Sequence, residues 1–226
     1  MYMPSEAAGQ QNRVPSPFEQ ISAKVRDILD GSRGSHAWDH TQRVCRLCER
    51  IGPPEGADMT VLRIAALLHD IGRASQDAAN GAVCHAEIGA DMAVSIIEGL
   101  SLAPKQMENI LHCIRAHRYR NRHRPESVEA RVLFDADKLD AIGAIGVARA
   151  YLFAGEVGAR LHNPDHNIEN TKPYSIDDTG FREFKVKLIR IKGRILTETG
   201  RQIAEDRHRF MVAFFERFIA EYEGNC

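Results

Sequence analysis

Residues 62–75, "LRIAALLHDIGRAS", decide how this chain is read. Apart from Arg63, every position from Leu62 to Leu68 is apolar, and the run then ends in two adjacent polar residues, His69 and Asp70. A run so apolar belongs to a buried helix. A polar group at its end costs on the order of 2–7 kcal/mol if it is buried without a partner. A metal ion, a substrate, or the two residues themselves must therefore satisfy the pair.

Outward from this stretch the pattern is helical almost throughout. Apolar residues recur at three- and four-residue intervals, and no run alternates with period two. The pattern predicts helices over 18–29, 36–51, 60–70, 85–100 and 104–117. A long sixth helix begins behind Pro125 and includes "VLFDADKLDAIGAIGVARAYLF", and two more cover 181–195 and 199–222. Gly31, the Gly52-Pro53-Pro54 run and Pro104 punctuate the series as stop and first-turn signals. Residues 1–17 are polar and aperiodic, so they read as a mobile tail, and the 19 residues of 162–180 read as a long loop. The expectation is an all-α chain with one globular domain of about eight helices over 18–222.

A length of 226 residues allows a sizeable core, and 43% hydrophobic with 27% charged residues is ordinary for a globular protein. The formal net charge of -1 gives no global attraction to nucleic acid or to a membrane surface. Five cysteines without framework spacing suit reduced thiols, and Cys45-x-x-Cys48 falls within a helical pattern, where two buried thiols are expected rather than a zinc or redox pair. The least polar stretch, 141–161, carries Arg149 and Glu156 and is no membrane span. With no signal-peptide pattern at the start, the expected location is cytoplasmic, with no membrane partner.

The chemistry concentrates in His40, His69, Asp70 and Asp137. Two imidazoles and two carboxylates suit a divalent ion of intermediate softness, such as Mn, Fe, Co, Ni or Zn. Four protein ligands in an octahedral shell leave two positions for water or substrate, which is the pattern of a catalytic site and not of a closed structural one. Taken singly, each residue has an ordinary reading as well. His40 suits a satisfied core histidine, and Asp137 could pair with Arg131 or Lys138.

In combination they carry a resemblance. "HAWDHTQRV", then "LLHD", then "DADKLDAIGAIGVAR" resembles the HD-domain superfamily of metal-dependent phosphohydrolases, and the closing "GRQIAEDRHRFMVAFFERF" resembles its small stand-alone bacterial branch. The resemblance covers about 18–222. It implies an all-α fold, one divalent ion (Mg included) between His40, His69, Asp70 and Asp137, and hydrolysis of a phosphate ester or anhydride. The substrate it implies is a nucleotide or another small phosphorylated metabolite, with some members converting nucleoside triphosphates to monophosphate and pyrophosphate. In the HD family an acidic residue soon after the doublet sometimes assists the attacking water; here Arg73 stands three residues on and Asp77 is the next carboxylate. Asp70, Arg73 and Asp77 are therefore the candidates at the reacting centre.

Phosphoryl transfer asks mainly for positive charge around the phosphates. "HRYRNRHR" at 117–124 supplies four arginines and two histidines, and as a charge run it also reads as a solvated loop. Arg118, Lys138 and Arg149 are the phosphate candidates, and His85 and His117 are candidates for phosphate contact, for outer support or for a second ion. His36 suits a helix start or outer support at least as well as a ligand. The Glu-Asp pair of alarmone hydrolases and the Gly-Tyr-Pro signature of cyclic-dinucleotide phosphodiesterases are both missing. A metal- and nucleotide-binding sensor with little turnover is the alternative to an enzyme. A nucleic-acid binder fits the charge balance poorly, and the oligomeric state is open, since Phe210, Phe214, Phe215 and Phe218 suit a core or an interface.

Overall fold

The computed structural model describes residues 16–30, 38–79, 82–118, 123–165 and 168–226. Among them the chain forms helices and no strand: α1 (Pro17–Leu29), α2 (Trp38–Glu55), α3 (Met59–Leu68), α4 (Arg73–Ala78), α5 (His85–Ile97), α6 (Pro104–Ala116), α7 (Val128–Leu139), α8 (Gly143–Glu156), α9 (Gly180–Val186) and α10 (Glu198–Tyr222). Residues 1–15 of the expected tail, His36, and 119–122 of the basic loop lie outside the described residues. No described helix is long and apolar enough to cross a membrane.

Local chemistry starts the helices where they start. Ser16 and Glu19 form a reciprocal capping box on α1, so the ordered helix begins at Pro17. The Asp58 carboxylate accepts from the amides of Thr60 and Val61 at the head of α3, and Ser127 and Thr197 cap α7 and α10 in the same way. Pro104 occupies the first turn of α6, as its position predicts.

The apolar character of α3 follows from its place in the middle of the fold, packed on α2, α6 and α7. Val61, Leu62, Ala65, Ala66 and Leu68 are all essentially without solvent contact. Each such Leu contributes about 1.5–3 kcal/mol on burial. α7 packs on α2, α3 and α6 on one side and on α10 on the other, and Asp135 ties the last pair together. Its carboxylate accepts from the backbone amides of Leu196 and Thr197 and from the Thr197 hydroxyl at 2.6 Å.

Four details differ from the pattern-based expectation, the first being that α2 runs on through Gly52-Pro53-Pro54 to Glu55 instead of stopping there. The long sixth helix is two helices, because Ile142 is extended and Gly143 has φ +79, a left-handed conformation that favours glycine. Apolar spacing runs on through that break, which hides it. A short α4 stands within 73–84, and the expected helix over 181–195 is α9 followed by two 3₁₀ turns. The cysteines are free thiols; burial pushes Cys45 and Cys113 up to about 12, which fits inert packing thiols. Phe215 is buried, Phe214 and Phe218 are half-buried, and Phe210 is exposed, so the carboxy-terminal phenylalanines serve mainly the core.

α3 ends at Leu68, and the chain turns through His69–Gly72 into α4. Gly72 lies so close to α5 that a Cβ there would fall 2.3 Å from the His85 carbonyl and 2.6 Å from the Gly89 amide nitrogen. Both are backbone atoms and cannot swing away. Gly72→Ala is expected to destabilise the fold by about 1–3 kcal/mol, which thermal unfolding reads as roughly 2–4 °C per kcal/mol. An unchanged melting temperature would show that this turn is not packed as described.

Candidate metal centre

Five elements bring the polar groups to one place. His40 comes from the first turns of α2, His69 and Asp70 from the turn after α3, His85 from the head of α5, His117 from the end of α6, and Asp137 from α7. All but Asp137 are buried.

Every imidazole is anchored through Nδ1. His40 Nδ1 meets Asp140 Oδ2 at 2.8 Å and His69 Nδ1 meets the Ala66 carbonyl at 2.7 Å. His85 Nδ1 meets Gln76 Oε1 at 2.9 Å, and His117 Nδ1 meets the Ile114 carbonyl at 2.7 Å. An oxygen acceptor at Nδ1 keeps the proton there and leaves the Nε2 lone pair free. The assignment for Gln76 is secure on chemical grounds, since the same oxygen also accepts from Arg118 at 2.8 Å.

The four Nε2 atoms then converge in two pairs, His40 with His69 at 3.4 Å and His85 with His117 at 3.1 Å. Asp70 stands between the pairs. Its Oδ2 is 3.7 Å from His40 Nε2 and 3.8 Å from His69 Nε2, whereas its Oδ1 is 3.1 Å from His85 Nε2 and 3.6 Å from His117 Nε2. Asp137 Oδ1 completes the first pair at 3.5 Å from His40 Nε2. Bonds of about 2.1 Å to one ion place neighbouring ligand atoms roughly 3–3.5 Å apart, which is the spacing seen here. The described residues therefore offer two donor groups fit for a metal, His40–His69–Asp137 and Asp70–His85–His117, with the second oxygen of Asp70 facing the first.

The charges agree with that use. Burial holds His69 at about 4 and His85 at about 3, so both are neutral donors near pH 7. Burial opposes ionisation of Asp70, yet Arg73 and the surrounding histidines hold it well below the usual carboxylate range. The same contest at Asp137 is won by Lys138 and His40. His40 differs: burial pushes it down, but its hydrogen bonds to Asp137 and Asp140 overcome that and raise it.

The positive residues sit as follows. Arg73 donates to both Asp70 oxygens at 3.2 and 3.3 Å. The Lys138 side chain folds back onto the neighbouring Asp137 at 2.6 Å and lies 3.5 Å from the His117 carbonyl. Arg118 binds Gln76, and Arg149 binds Asp140 at 2.7 Å. Asp77 is half-buried on α4 and belongs to neither donor group. His112 accepts from the Glu126 amide, a structural role. Sequence reading passed over Asp140, Arg43 and Gln76. Asp140 lies one turn after Asp137 in a segment read as a single helix, and only the spacing of two acids in "DKLD" hinted at it.

An all-α chain that turns imidazoles from four helices toward a shared aspartate is a metal-dependent hydrolase of the HD type. The family model for the HD domain covers residues 37–142. Over 91% of its length the chain is 32% identical to the uncharacterized protein YpgQ of Bacillus subtilis (strain 168), 94% of which it covers. The crystal structure of B. subtilis YpgQ in complex with ADP superposes with a TM-score of 0.69 at 29% identity, over 91% of this chain and 94% of that one. An HD-superfamily hydrolase from Bacillus thuringiensis gives 0.71 at 28% identity, over 91% and 96%. This chain belongs to the HD-domain family, and its cofactor is a divalent metal ion.

The histidines also set the acid behaviour of the metal-free fold. An unfolded histidine takes up its proton near pH 6.5, but His69 and His85 resist until about 4 and about 3. Below about 6.5 the unfolded chain therefore binds more protons, and stability falls with pH. His40, raised in the fold, contributes fully below about 6.5 and loses its contribution only as pH rises. Urea unfolding in chelator is expected to show stability declining steadily from pH 6.5 to 4. A flat or rising profile there would contradict the buried neutral assignment.

Proposed function

We propose that this chain hydrolyses a phosphate ester or anhydride of a nucleotide, with a nucleoside triphosphate cleaved to monophosphate and pyrophosphate as the first candidate. One divalent ion is held by His40, His69, Asp70 and Asp137. The observation that carries this reading is the buried Asp70, whose two oxygens face different donor groups. The nucleotide is supported by the complex of YpgQ with ADP.

When bound, such an ion polarises a phosphoryl oxygen and activates water near neutral pH. The chain's own residues supply the rest. Arg73 and Lys138, each already on a metal-binding carboxylate, hold positive charge where the phosphates lie against the site. Arg118 adds a third cation beside His85 through Gln76. Asp77, the carboxylate of α4, is the candidate to orient the attacking water. Arg149 is spent on Asp140 and is assigned to holding the site instead of the phosphate.

A second ion at Asp70, His85 and His117 is favoured by one observation, the 3.1 Å approach of two Nε2 atoms that both keep their lone pairs. In that case these two histidines are ligands and not phosphate contacts.

The test is release of phosphate or pyrophosphate from nucleoside mono- and triphosphates with Mn²⁺, Co²⁺, Ni²⁺ or Mg²⁺, comparing wild type with Asp70→Ala. Losing the ion's several kcal/mol of transition-state stabilisation lowers the rate by about 10³-fold or more. Pyrophosphate release that vanishes in the variant supports the triphosphate reading, and orthophosphate makes the protein a phosphatase. No turnover by metal-loaded protein would instead favour a sensor that binds nucleotide without hydrolysing it.

A further inference from the structure

Asp140 is fully buried, and both of its oxygens are taken on the side of His40 that faces away from the donor groups. Oδ2 meets His40 Nδ1 at 2.8 Å, Arg149 Nη1 at 2.7 Å and Arg43 Nη2 at 3.1 Å, while Oδ1 accepts from Arg43 Nε at 2.7 Å. Arg43 also donates from Nη1 to Asp39 at 2.6 Å. The four side chains make an alternating row, Asp39–Arg43–Asp140–Arg149, whose formal charges cancel. It draws on α2, on the break between α7 and α8, and on α8 itself.

A buried ion pair is a poor source of stability, because desolvating the charges offsets most of their attraction. What this row does is directional. Asp140 lies behind His40 with both oxygens on arginine, and it belongs to neither donor group fit for a metal. We infer that Asp140, clamped by Arg43 and Arg149, is a positioning residue that holds the His40 proton on Nδ1 and so keeps Nε2 turned to the metal. The inference rests on the reading of His40 as a ligand. It also explains the break after α7: a continuous helix would carry Arg149 two and a half turns beyond Asp140, whereas the turn at Ile142–Gly143 brings it back onto the carboxylate.

The amide of Asp140→Asn has nearly the same shape but only one oxygen. Both arginines can only donate, and the position that faces His40 Nδ1 also takes Arg149 and Arg43 Nη2, so the amide oxygen goes there and the amide nitrogen is left against Arg43 Nε. Donor then faces donor at Arg43 Nε, the clamp loosens, and a neutral carboxamide oxygen holds the proton on His40 Nδ1 less firmly than the carboxylate does.

The experiment measures metal affinity by titration with Zn²⁺ at one fixed pH for wild type, Asp140→Asn, Asp39→Asn and His40→Ala. Imidazole ¹⁵N shifts are recorded on the zinc-loaded proteins, with thermal melts of the metal-free ones as a fold control. Asp140→Asn is expected to weaken binding about 10–100-fold and to shift the His40 imidazole ¹⁵N signals away from those of the wild type. Asp39 is exposed, at the outer end of the row, and its variant is expected to change affinity by less than about threefold. Wild-type affinity and an unchanged His40 spectrum in Asp140→Asn would overturn the inference while leaving His40 as a ligand. If His40→Ala binds zinc as tightly as wild type, the ligand reading itself fails and the inference falls with it. If Asp140→Asn does not fold, Arg149→Met replaces it: partial loss of affinity supports the clamp, and none refutes it.

Discussion

Anchoring every site imidazole through Nδ1 is the constraint on which the rest depends. With each proton committed to an oxygen behind the ring, four Nε2 lone pairs point into one small volume around Asp70. Such an arrangement is repulsive on its own. It becomes favourable with positive charge at its centre, which Arg73 and Lys138 supply in part from the chain and a bound ion would complete, His69 and His85 being neutral. The acceptors differ in kind. Two are main-chain carbonyls one helical turn back, at Ala66 and Ile114, and cost the sequence nothing beyond a histidine at a helix end. The other two are side chains, Asp140 and Gln76, and each is itself held by arginine.

The fold serves this geometry. α3 runs through the middle of the bundle, so its end delivers His69 and Asp70 to the buried interior. The close approach of Gly72 to α5 then places His85 against Asp70, and α6, packed on α3 and α5, brings His117 alongside. α7 contributes Asp137 on one face. On another it fastens the start of α10 through Asp135, where the Oδ2 atom lies so near Gly200 that a Cβ there would sit 2.7 Å away. Stability and ligand geometry are thus carried by the same helix contacts.

Much of this was legible before any coordinates. Of the four residues singled out in the sequence, His40, His69 and Asp137 share one donor group, whereas Asp70 joins His85 and His117 in another and turns its second oxygen toward the first. Helix type was equally plain, because 3.6-residue periodicity persists along the chain. The break at Gly143 was hidden because apolar spacing continues across it. Asp140 was hidden for a related reason, since its neighbours in space, Arg43 and Arg149, lie 97 and 9 residues away in sequence. His85 and His117 were visible as histidines, but their pairing needs α5 and α6 placed side by side, which no local pattern encodes.

Diffraction from crystals grown with Mn²⁺, recorded on both sides of the manganese absorption edge, tests the central claim most directly. An anomalous peak within about 2.3 Å of His40 Nε2, His69 Nε2 and a carboxylate oxygen each of Asp70 and Asp137 is the predicted result. A protein that shows no peak there, or whose manganese lies on other residues while these four stay paired with one another, would contradict the account.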